Sequence, residues 1–207
     1  MEWPARHLNG KPSGCKTCFG GPAKRRRKNR CHAIGVSLSA AHNKVEYGGF
    51  LAGAESSKTD VAGRLDASYG FGLSPQWVLT VGATYDVNKT DFGRVTYVSG
   101  SPQTVDAKLK DHFAVYVAPG YQIAPNWLVY GKLSAHHAKT EFTDSGASDG
   151  ETTHSGTGLG FGVATAFSQH IEGRFEVEQV RYNEKSGNLS TGKPKTTQAT
   201  FYVGYRF

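Results

Sequence analysis

The chain has 207 residues, including 26 Gly, 11 Phe, 10 Tyr and a single Met, and its formal net charge is +7 at pH 7. That length accommodates one domain with a tail, and the many glycine and aromatic residues favour strands over helices. The longest strictly apolar run, from Phe113 to Ala118, is far below the roughly 18 residues of a membrane-spanning helix, so a helical membrane protein is excluded. A membrane β-barrel stays compatible, because its strands alternate apolar with polar residues.

The positive charge is concentrated in residues 1–32, which contain nine Lys or Arg and one acidic residue, whereas residues 33–207 have a net charge of −1. We therefore divide the chain into a disordered basic tail, 1–32, and a main domain, 33–207. Because the basic charge belongs to the tail, we predict no nucleic-acid binding by the domain. Residues 1–23 lack the apolar stretch of a secretory signal. We interpret the tail as foreign to the domain, through a misplaced start or reading frame.

All three cysteines lie in the tail, so no disulfide framework is predicted for the domain. Together with His32 they have the chemistry of zinc ligands. Cys31 and His32 are adjacent, however, rather than spaced as in zinc-binding motifs. We therefore predict no metal site.

The first strand of the domain has two alternative placements. Residues 33–47 alternate apolar residues with small or polar ones, which leaves 48–58 as a long loop. Alternatively, the strand covers 43–54 and the loop is only 55–58. We favour the first placement, because it matches the long connections later in the chain.

Seven further strands are predicted, since apolar side chains recur at every second position and a period of two places alternate side chains on opposite faces. These strands are 59–73, 77–91, 109–123, 127–142, 153–167, 171–182 and 196–207. Tight turns at 74–76, 124–126 and 168–170 alternate with long polar loops at 92–108, 143–152 and 183–195. This alternation predicts an all-β fold, an eight-stranded antiparallel up-and-down barrel, because an even number of strands closes without free edges.

The two faces of these strands indicate a transmembrane barrel with a polar interior. Charges of both signs lie near mid-strand on the polar face, as expected inside a narrow barrel. This predicted lumen charge network comprises Arg64, Asp66, Asp86, Lys132, Glu172, Arg174, Glu176, Glu178 and Arg206. Aromatic residues flank the short turns, where the interfacial girdle of a membrane barrel is expected. The predicted girdle comprises Tyr69, Phe71, Trp77, Tyr121, Trp127, Phe167 and Tyr205.

The chain ends on Phe207, which is preceded at every second position by Tyr205, Val203 and Phe201. A final strand of this kind resembles the C-terminal insertion signal of bacterial outer-membrane proteins. Residues 33–207 as a whole resemble the small eight-stranded outer-membrane barrels of the opacity-protein and outer-membrane-protein-A type. The resemblance implies insertion into the outer membrane of a Gram-negative bacterium by the barrel-assembly machinery, with short turns in the periplasm and long loops outside.

From this resemblance we predict a non-enzymatic outer-membrane protein with a structural or surface-interaction role. The expected partners are outer-membrane lipid, lipopolysaccharide and a host or cell-surface ligand at the loops, and no cofactor is expected. A small porin-like channel is the first alternative, although eight strands enclose an interior just wide enough for side chains. A lipid-modifying or proteolytic barrel enzyme is the second alternative.

Glu172, Glu176 and Glu178 could form a carboxylate site for acid–base chemistry, but they share one inward face with Arg174, so we interpret them as part of a salt-bridge network. Histidines supply the candidates for nucleophilic catalysis. His154 beside Ser155, together with His136, could activate a serine nucleophile. No acid or oxyanion donor can be assigned to them, so we interpret these histidines as polar residues of the barrel rim and predict no catalytic site.

Overall fold

A computed structural model of the chain describes residues 30–49, 55–88, 90–99, 101–144, 150–183, 185–186 and 190–207. Within these ranges the regular structure consists of ten strands. They are β1 Arg30–Gly49, β2 Glu55–Gly72, β3 Trp77–Asp86, β4 Thr90–Ser99, β5 Ser101–Ala124, β6 Trp127–Asp144, β7 Gly150–Ala166, β8 Ile171–Tyr182, β9 Lys185–Ser186 and β10 Ser190–Arg206. No helix in the described part of the chain is long and apolar enough to cross a membrane.

Eight of these strands form a closed antiparallel barrel in the order β1-β2-β3-β5-β6-β7-β8-β10, and β10 pairs with β1 to complete the ring. The closing seam is in register from Ala33, opposite Arg206, to Gly49, opposite Ser190. Beyond it the Phe207 N–H donates a 2.9 Å hydrogen bond to the His32 carbonyl. The predicted fold, an eight-stranded up-and-down barrel, is confirmed.

The first strand follows the favoured placement, since β1 covers 33–47 and extends beyond it at both ends. The predicted loop 48–58 is wrong at both ends. Gly49 still pairs with β10, and β2 begins at Glu55, opposite Glu46 of β1. Only residues 50–54 of that predicted loop lie outside the described residues.

The other long loops are also largely β-structure. Most of the predicted loop 92–108 is a β-hairpin, in which β4 and β5 pair as far as Ser99 and Ser101. β6 continues to Asp144, and β10 begins at Ser190. Polar sequences extend these strands because, beyond the apolar band, the two arms of each hairpin still satisfy each other's backbone hydrogen bonds.

The predicted strand 77–91 is interrupted, because β3 ends at Asp86 and the chain bends at Val87 and Asn88. The Asn88 side chain accepts a 2.7 Å hydrogen bond from the Gly63 N–H and donates one of 3.1 Å to the Val61 carbonyl. This asparagine therefore supplies the edge of β2 with the hydrogen bonds that a continuing β3 would have made.

The short turns lie where they were predicted, at the end of the barrel that carries Phe207. Serine side chains stabilise two of them. The hydroxyl of Ser74 accepts a 3.1 Å hydrogen bond from the Trp77 N–H, and that of Ser168 accepts one of 3.0 Å from the Ile171 N–H. Serine favours such turns because its hydroxyl bonds the backbone two or three residues further along.

The apolar face of the barrel points outward. Leu133, Leu159 and Phe161 are 55%, 67% and 69% exposed, whereas the alternate positions carry buried polar side chains. Most inward positions are thus small or polar and most outward positions are apolar, as in a barrel that is surrounded by hydrocarbon.

β1 begins at Arg30, and residues 1–29 of the predicted tail lie outside the described residues. The division of the chain near residue 32 therefore stays a prediction. Cys31 points into the barrel, whereas the adjacent His32 is exposed on the outer face. The alternation of a strand thus separates these two side chains.

A charged substitution on the outer face tests whether the apolar side of the strands faces lipid. Leu133 lies midway along the outward side of β6, so Leu133→Arg should lower the free energy of unfolding by about 2–4 kcal/mol in lipid. Ser155, exposed opposite His137 near the far end of the apolar band, is the matched control. Ser155→Arg should cost about 0–1 kcal/mol. Urea unfolding in lipid vesicles measures both, and equal costs would contradict the proposed lipid-facing surface.

Candidate functional site in the barrel interior

The candidate functional site is the interior of the barrel, because the inward positions of the eight strands bring the residues of the predicted lumen charge network together. All nine residues of the predicted lumen charge network face inward, and seven of them are buried. Arg174 and Glu176 are half-buried. Their contacts form three groups, centred on Arg174, Lys132 and Asp86.

The group nearest the short turns is centred on Arg174 of β8. Its guanidinium lies 2.6 Å from a carboxylate oxygen of Glu172 and 3.5 Å from one of Asp66. It also donates a 2.7 Å hydrogen bond to the Ser68 hydroxyl and stacks 4.1 Å from the ring centre of Tyr202. A planar guanidinium with several N–H donors can join partners on β2, β8 and β10 simultaneously, which a lysine could not do.

The middle group is centred on Lys132 of β6. Its Nζ lies 2.6 Å from Glu176 Oε1 and 3.1 Å from Glu178 Oε2. The Tyr130 hydroxyl donates a 3.1 Å hydrogen bond to Glu176, and the Gln198 amide donates one of 2.8 Å to Glu178. One ammonium therefore compensates parts of two carboxylates, and neutral side chains supply further donors.

The group nearest the long hairpins is centred on Asp86 at the end of β3. One carboxylate oxygen lies 2.6 Å from Arg64 Nε, and the other lies 2.8 Å from His112 Nδ1. His112 Nε2 in turn lies 2.9 Å from His136 Nδ1. On its far side His136 Nε2 lies 2.8 Å from the Ser134 hydroxyl and 3.2 Å from Glu178 Oε1. These contacts connect the Asp86 group with the Lys132 group.

A β-bulge directs His112 into the lumen. The register of β5 against β6 shifts between Lys110 and Phe113, and Asp111 in between has a φ of 50°. The extra residue shifts the alternation of side chains by one position. From His112 onward the even-numbered residues of β5 therefore point into the lumen. Without this bulge the imidazole would not meet Asp86.

Glycines provide the space for the large inward side chains. A Cβ at Gly82 would overlap the Tyr116 ring, and one at Gly162 would lie 2.6 Å from the Tyr130 hydroxyl. A Cβ at Gly158 would overlap Ser134 and Glu178. The small residues of β3 and β7 therefore permit tyrosines, serine and carboxylates of neighbouring strands to fill the lumen.

The interior is closely filled. The cavity among Tyr116, Tyr130, Arg174 and Glu176 has a volume of about 40 Å³, which suffices for water molecules. In the described part of the chain, no group of three or more His, Cys, Asp or Glu side chains is arranged to hold a metal ion.

The catalytic candidates separate in the structure. His154 is buried in the lumen and Ser155 is exposed outside, because adjacent residues of β7 face opposite ways. His136 meets Ser134 instead, but that hydroxyl also bonds Glu178.

Sequence analysis did not predict the polar side chains that connect the charged residues of the network. Ser134, Tyr116 and Gln198 bridge charged groups, and His112 and His136 bridge two of the clusters. The signal was present in the shared even-numbered parity of these positions. The alternation within one strand, however, does not predict which inward residues of different strands lie at the same height along the barrel axis.

The predicted girdle and the final strand lie on the outer face. Trp77 packs against Tyr121 with ring centres 5.3 Å apart, and Tyr205 packs against Phe207 at 5.1 Å. The other girdle residues, Tyr69, Phe71, Trp127 and Phe167, are half-buried or exposed near the same short turns. The outward residues of the terminal strand are Phe201, Val203, Tyr205 and Phe207.

A closed barrel with an apolar exterior, an aromatic belt and a charged, filled interior is a transmembrane β-barrel. Residues 19–207 match the family described as outer membrane protein beta-barrel domain, so the chain belongs to that family. The protein is therefore an integral protein of the Gram-negative outer membrane. In this class the short turns face the periplasm and the longer hairpins face the outside.

Similar solved structures include the attachment invasion locus protein Ail of Yersinia pestis in complex with the heparin analogue sucrose octasulfate. Ail is 15% identical to this chain with a TM-score of 0.49, and the match covers 85% of this chain and 99% of that chain. Neisserial surface protein A is 19% identical with a TM-score of 0.43, covering 84% and 99%. Outer membrane protease OmpT of Escherichia coli is 8% identical with a TM-score of 0.48, covering 86% and 97%. A comparison with curated proteins found no significant match.

Two arginines of β8 provide a test of the lumen network. Arg174→Met removes the inward guanidinium and leaves Asp66 and Glu172 buried, so it should lower the free energy of unfolding by about 3–5 kcal/mol. Arg181, exposed on the outer face of the same strand, is the matched control, and Arg181→Met should change it by less than about 0.5 kcal/mol. Urea unfolding in micelles compares the two. Similar losses would show that the buried ion pairs do not hold the barrel together.

Proposed function

We propose that this protein is a non-enzymatic, non-conducting barrel that acts at the cell surface, where it binds lipopolysaccharide at its outer rim and presents its hairpins to the exterior. The observation that carries the proposal is the filled lumen. Arg174 and Lys132 enter it from β8 and β6, and four carboxylates, those of Asp66, Glu172, Glu176 and Glu178, meet them. A barrel of this kind offers surfaces rather than a passage or a pocket.

The filled interior argues against the channel alternative. Eight strands enclose a space that side chains can fill, and here Tyr116, Tyr130 and Tyr202 are all buried within it. A hydrated solute would have to displace these rings and separate ion pairs whose partners are buried.

The same geometry supports a non-enzymatic role. A nucleophilic serine needs a base and a space where substrate can approach. The hydroxyl of Ser134 has an imidazole neighbour but also donates a hydrogen bond to Glu178. The residue Ser134 as a whole is only 8% exposed. This serine is therefore placed to hold the network together rather than to attack a substrate.

Basic residues on three neighbouring strands support lipopolysaccharide as a partner. Lys44 of β1 lies opposite Lys195 of β10, and Lys195 lies opposite Arg181 of β8. All three have outward parity, beyond the apolar stretch that ends near Leu38 and Phe201. Cationic side chains that lie side by side on one surface suit the phosphate groups of the outer leaflet, which they bind through charge-assisted hydrogen bonds.

The C-terminal strand and the hairpins account for the remaining partners in this proposal. The outward residues Phe201, Val203, Tyr205 and Phe207 form the pattern that resembles the signal read by the barrel-assembly machinery. The hairpins formed by β1 with β2 and by β4 with β5 extend from the opposite end of the barrel. They supply an external surface for a host or cell-surface ligand.

Planar-bilayer recordings test the closed lumen. The native protein should give no stable conductance steps, because the tyrosines and ion pairs obstruct the path. Tyr116→Ala with Tyr130→Ala should open small steps, whereas Tyr85→Ala, on the outer face of β3, should resemble the native protein. Stable steps from native protein would instead support the porin-like alternative.

Thermal unfolding in micelles tests the lipopolysaccharide surface. Purified lipopolysaccharide should raise the melting temperature of the native protein, and dephosphorylated lipopolysaccharide should raise it less. Lys195→Gln with Arg181→Gln should remove most of that increase, because the variant lacks two of the three phosphate-binding charges.

Lys58→Gln is the control for this experiment, because it removes an exposed lysine of β2 outside the three-strand cluster. It should leave the increase unchanged. If the double variant and the control respond alike, the basic cluster is not the binding surface.

A further inference from the structure

The contacts around His112 and His136 define how many protons the two imidazoles carry. His112 Nδ1 faces Asp86 at 2.8 Å, His112 Nε2 faces His136 Nδ1 at 2.9 Å, and His136 Nε2 faces Ser134 and Glu178 at 2.8 and 3.2 Å. The two ring planes are nearly parallel, with an interplanar angle of 8° and ring centres 5.2 Å apart, as in an edge-to-edge hydrogen bond. Each of these contacts needs a proton between its two heavy atoms.

The neighbouring groups do not supply those protons. Asp86 is ionised because it pairs with Arg64, and Glu178 is ionised because it accepts hydrogen bonds from Lys132 and Gln198. The single hydroxyl proton of Ser134 lies in its close contact with Glu178, since two oxygens without a proton between them would repel each other there. The imidazoles must therefore donate to Asp86, to each other and to the Ser134–Glu178 pair.

Three ring N–H groups are thus required. Two neutral imidazoles have two between them, which leaves one contact without a proton. Two imidazolium ions have four, which places two N–H groups face to face between the rings. Only one neutral and one protonated imidazole satisfy every contact.

The charge balance of the lumen network also requires one protonated imidazole. Its carboxylates are Asp66, Asp86, Glu172, Glu176 and Glu178, and its permanent cations are Arg64, Lys132, Arg174 and Arg206. Five negative and four positive charges leave one negative charge uncompensated. Uncompensated charge is costly to bury, and one imidazolium restores neutrality.

We propose that His112 and His136 form a buried proton-binding site, which holds one proton more than two neutral imidazoles at pH 7 and joins the Asp86 and Lys132 groups. The polar side chains that contact the two imidazoles, or the carboxylates bound to them, come from several strands. They are Arg64 of β2, Asp86 of β3, Lys132 and Ser134 of β6, Glu178 and Tyr182 of β8 and Gln198 of β10. Loss of the proton would leave a negative lumen and break one link between β5, β6 and β8.

Nitrogen-15 NMR of the histidine-labelled full chain in micelles tests the proton count directly. At pH 7 the two rings together should show three protonated nitrogens and one bare nitrogen, with coupling across the His112–His136 hydrogen bond to assign them. Two protonated nitrogens, or four, would overturn the proposal. His137, on the outer face of β6 beside Phe113, is the internal control, because it lies outside the lumen contacts that define the proton count.

The pH dependence of unfolding gives an independent readout. The folded barrel binds one proton more than the unfolded chain once free histidines are neutral, so unfolding is favoured as the pH rises. From about pH 7.5 upward the unfolding equilibrium constant should increase by up to about tenfold per pH unit while the site keeps its proton. His137→Gln should keep this dependence and His112→Gln with His136→Gln should lose it. A native protein without the dependence would overturn the proposal, even if the double variant does not fold.

Discussion

Closure of the sheet between β1 and β10 is the constraint on which the rest of the structure depends. In hydrocarbon every backbone N–H and C=O must be paired within the protein, so a sheet can cross the membrane only as a ring without edges. The seam between Ala33 and Gly49 of β1 meets this requirement against β10. Closure also determines which side chains share the interior, since each strand contributes alternate residues to a lumen only wide enough for side chains.

The charges in that lumen act as a connected whole rather than as separate pairs. Arg174 joins three strands, Lys132 divides its charge between two glutamates, and the two histidines connect the Asp86 group with Glu178. Removing one partner from such an arrangement leaves a buried charge without compensation. In our proposal the network both stabilises the barrel and closes it to solutes, because the same contacts hold the strands together and fill the lumen.

The sequence predicted the elements better than their ends. Alternation identified eight strands and their inward charges, because the period of two is a local property of a strand. It took 92–108 for a loop, since polar composition does not distinguish a loop from a paired hairpin outside the membrane. It also continued β3 past Asp86, because the bend at Asn88 is stabilised by contacts with Gly63 and Val61 of another strand.

By itself the sequence determined that this protein is a barrel, that its apolar face is separate from its charged face, and that the charged side chains point inward. Those properties follow from residue type and alternation along single strands. Only the tertiary structure decided which inward residues meet. The one-residue bulge at Asp111 and the registers of β3, β5, β6 and β8 bring His112 and His136 between Asp86 and Glu178. Register is a relation between strands distant in sequence, so a single strand's pattern does not contain it.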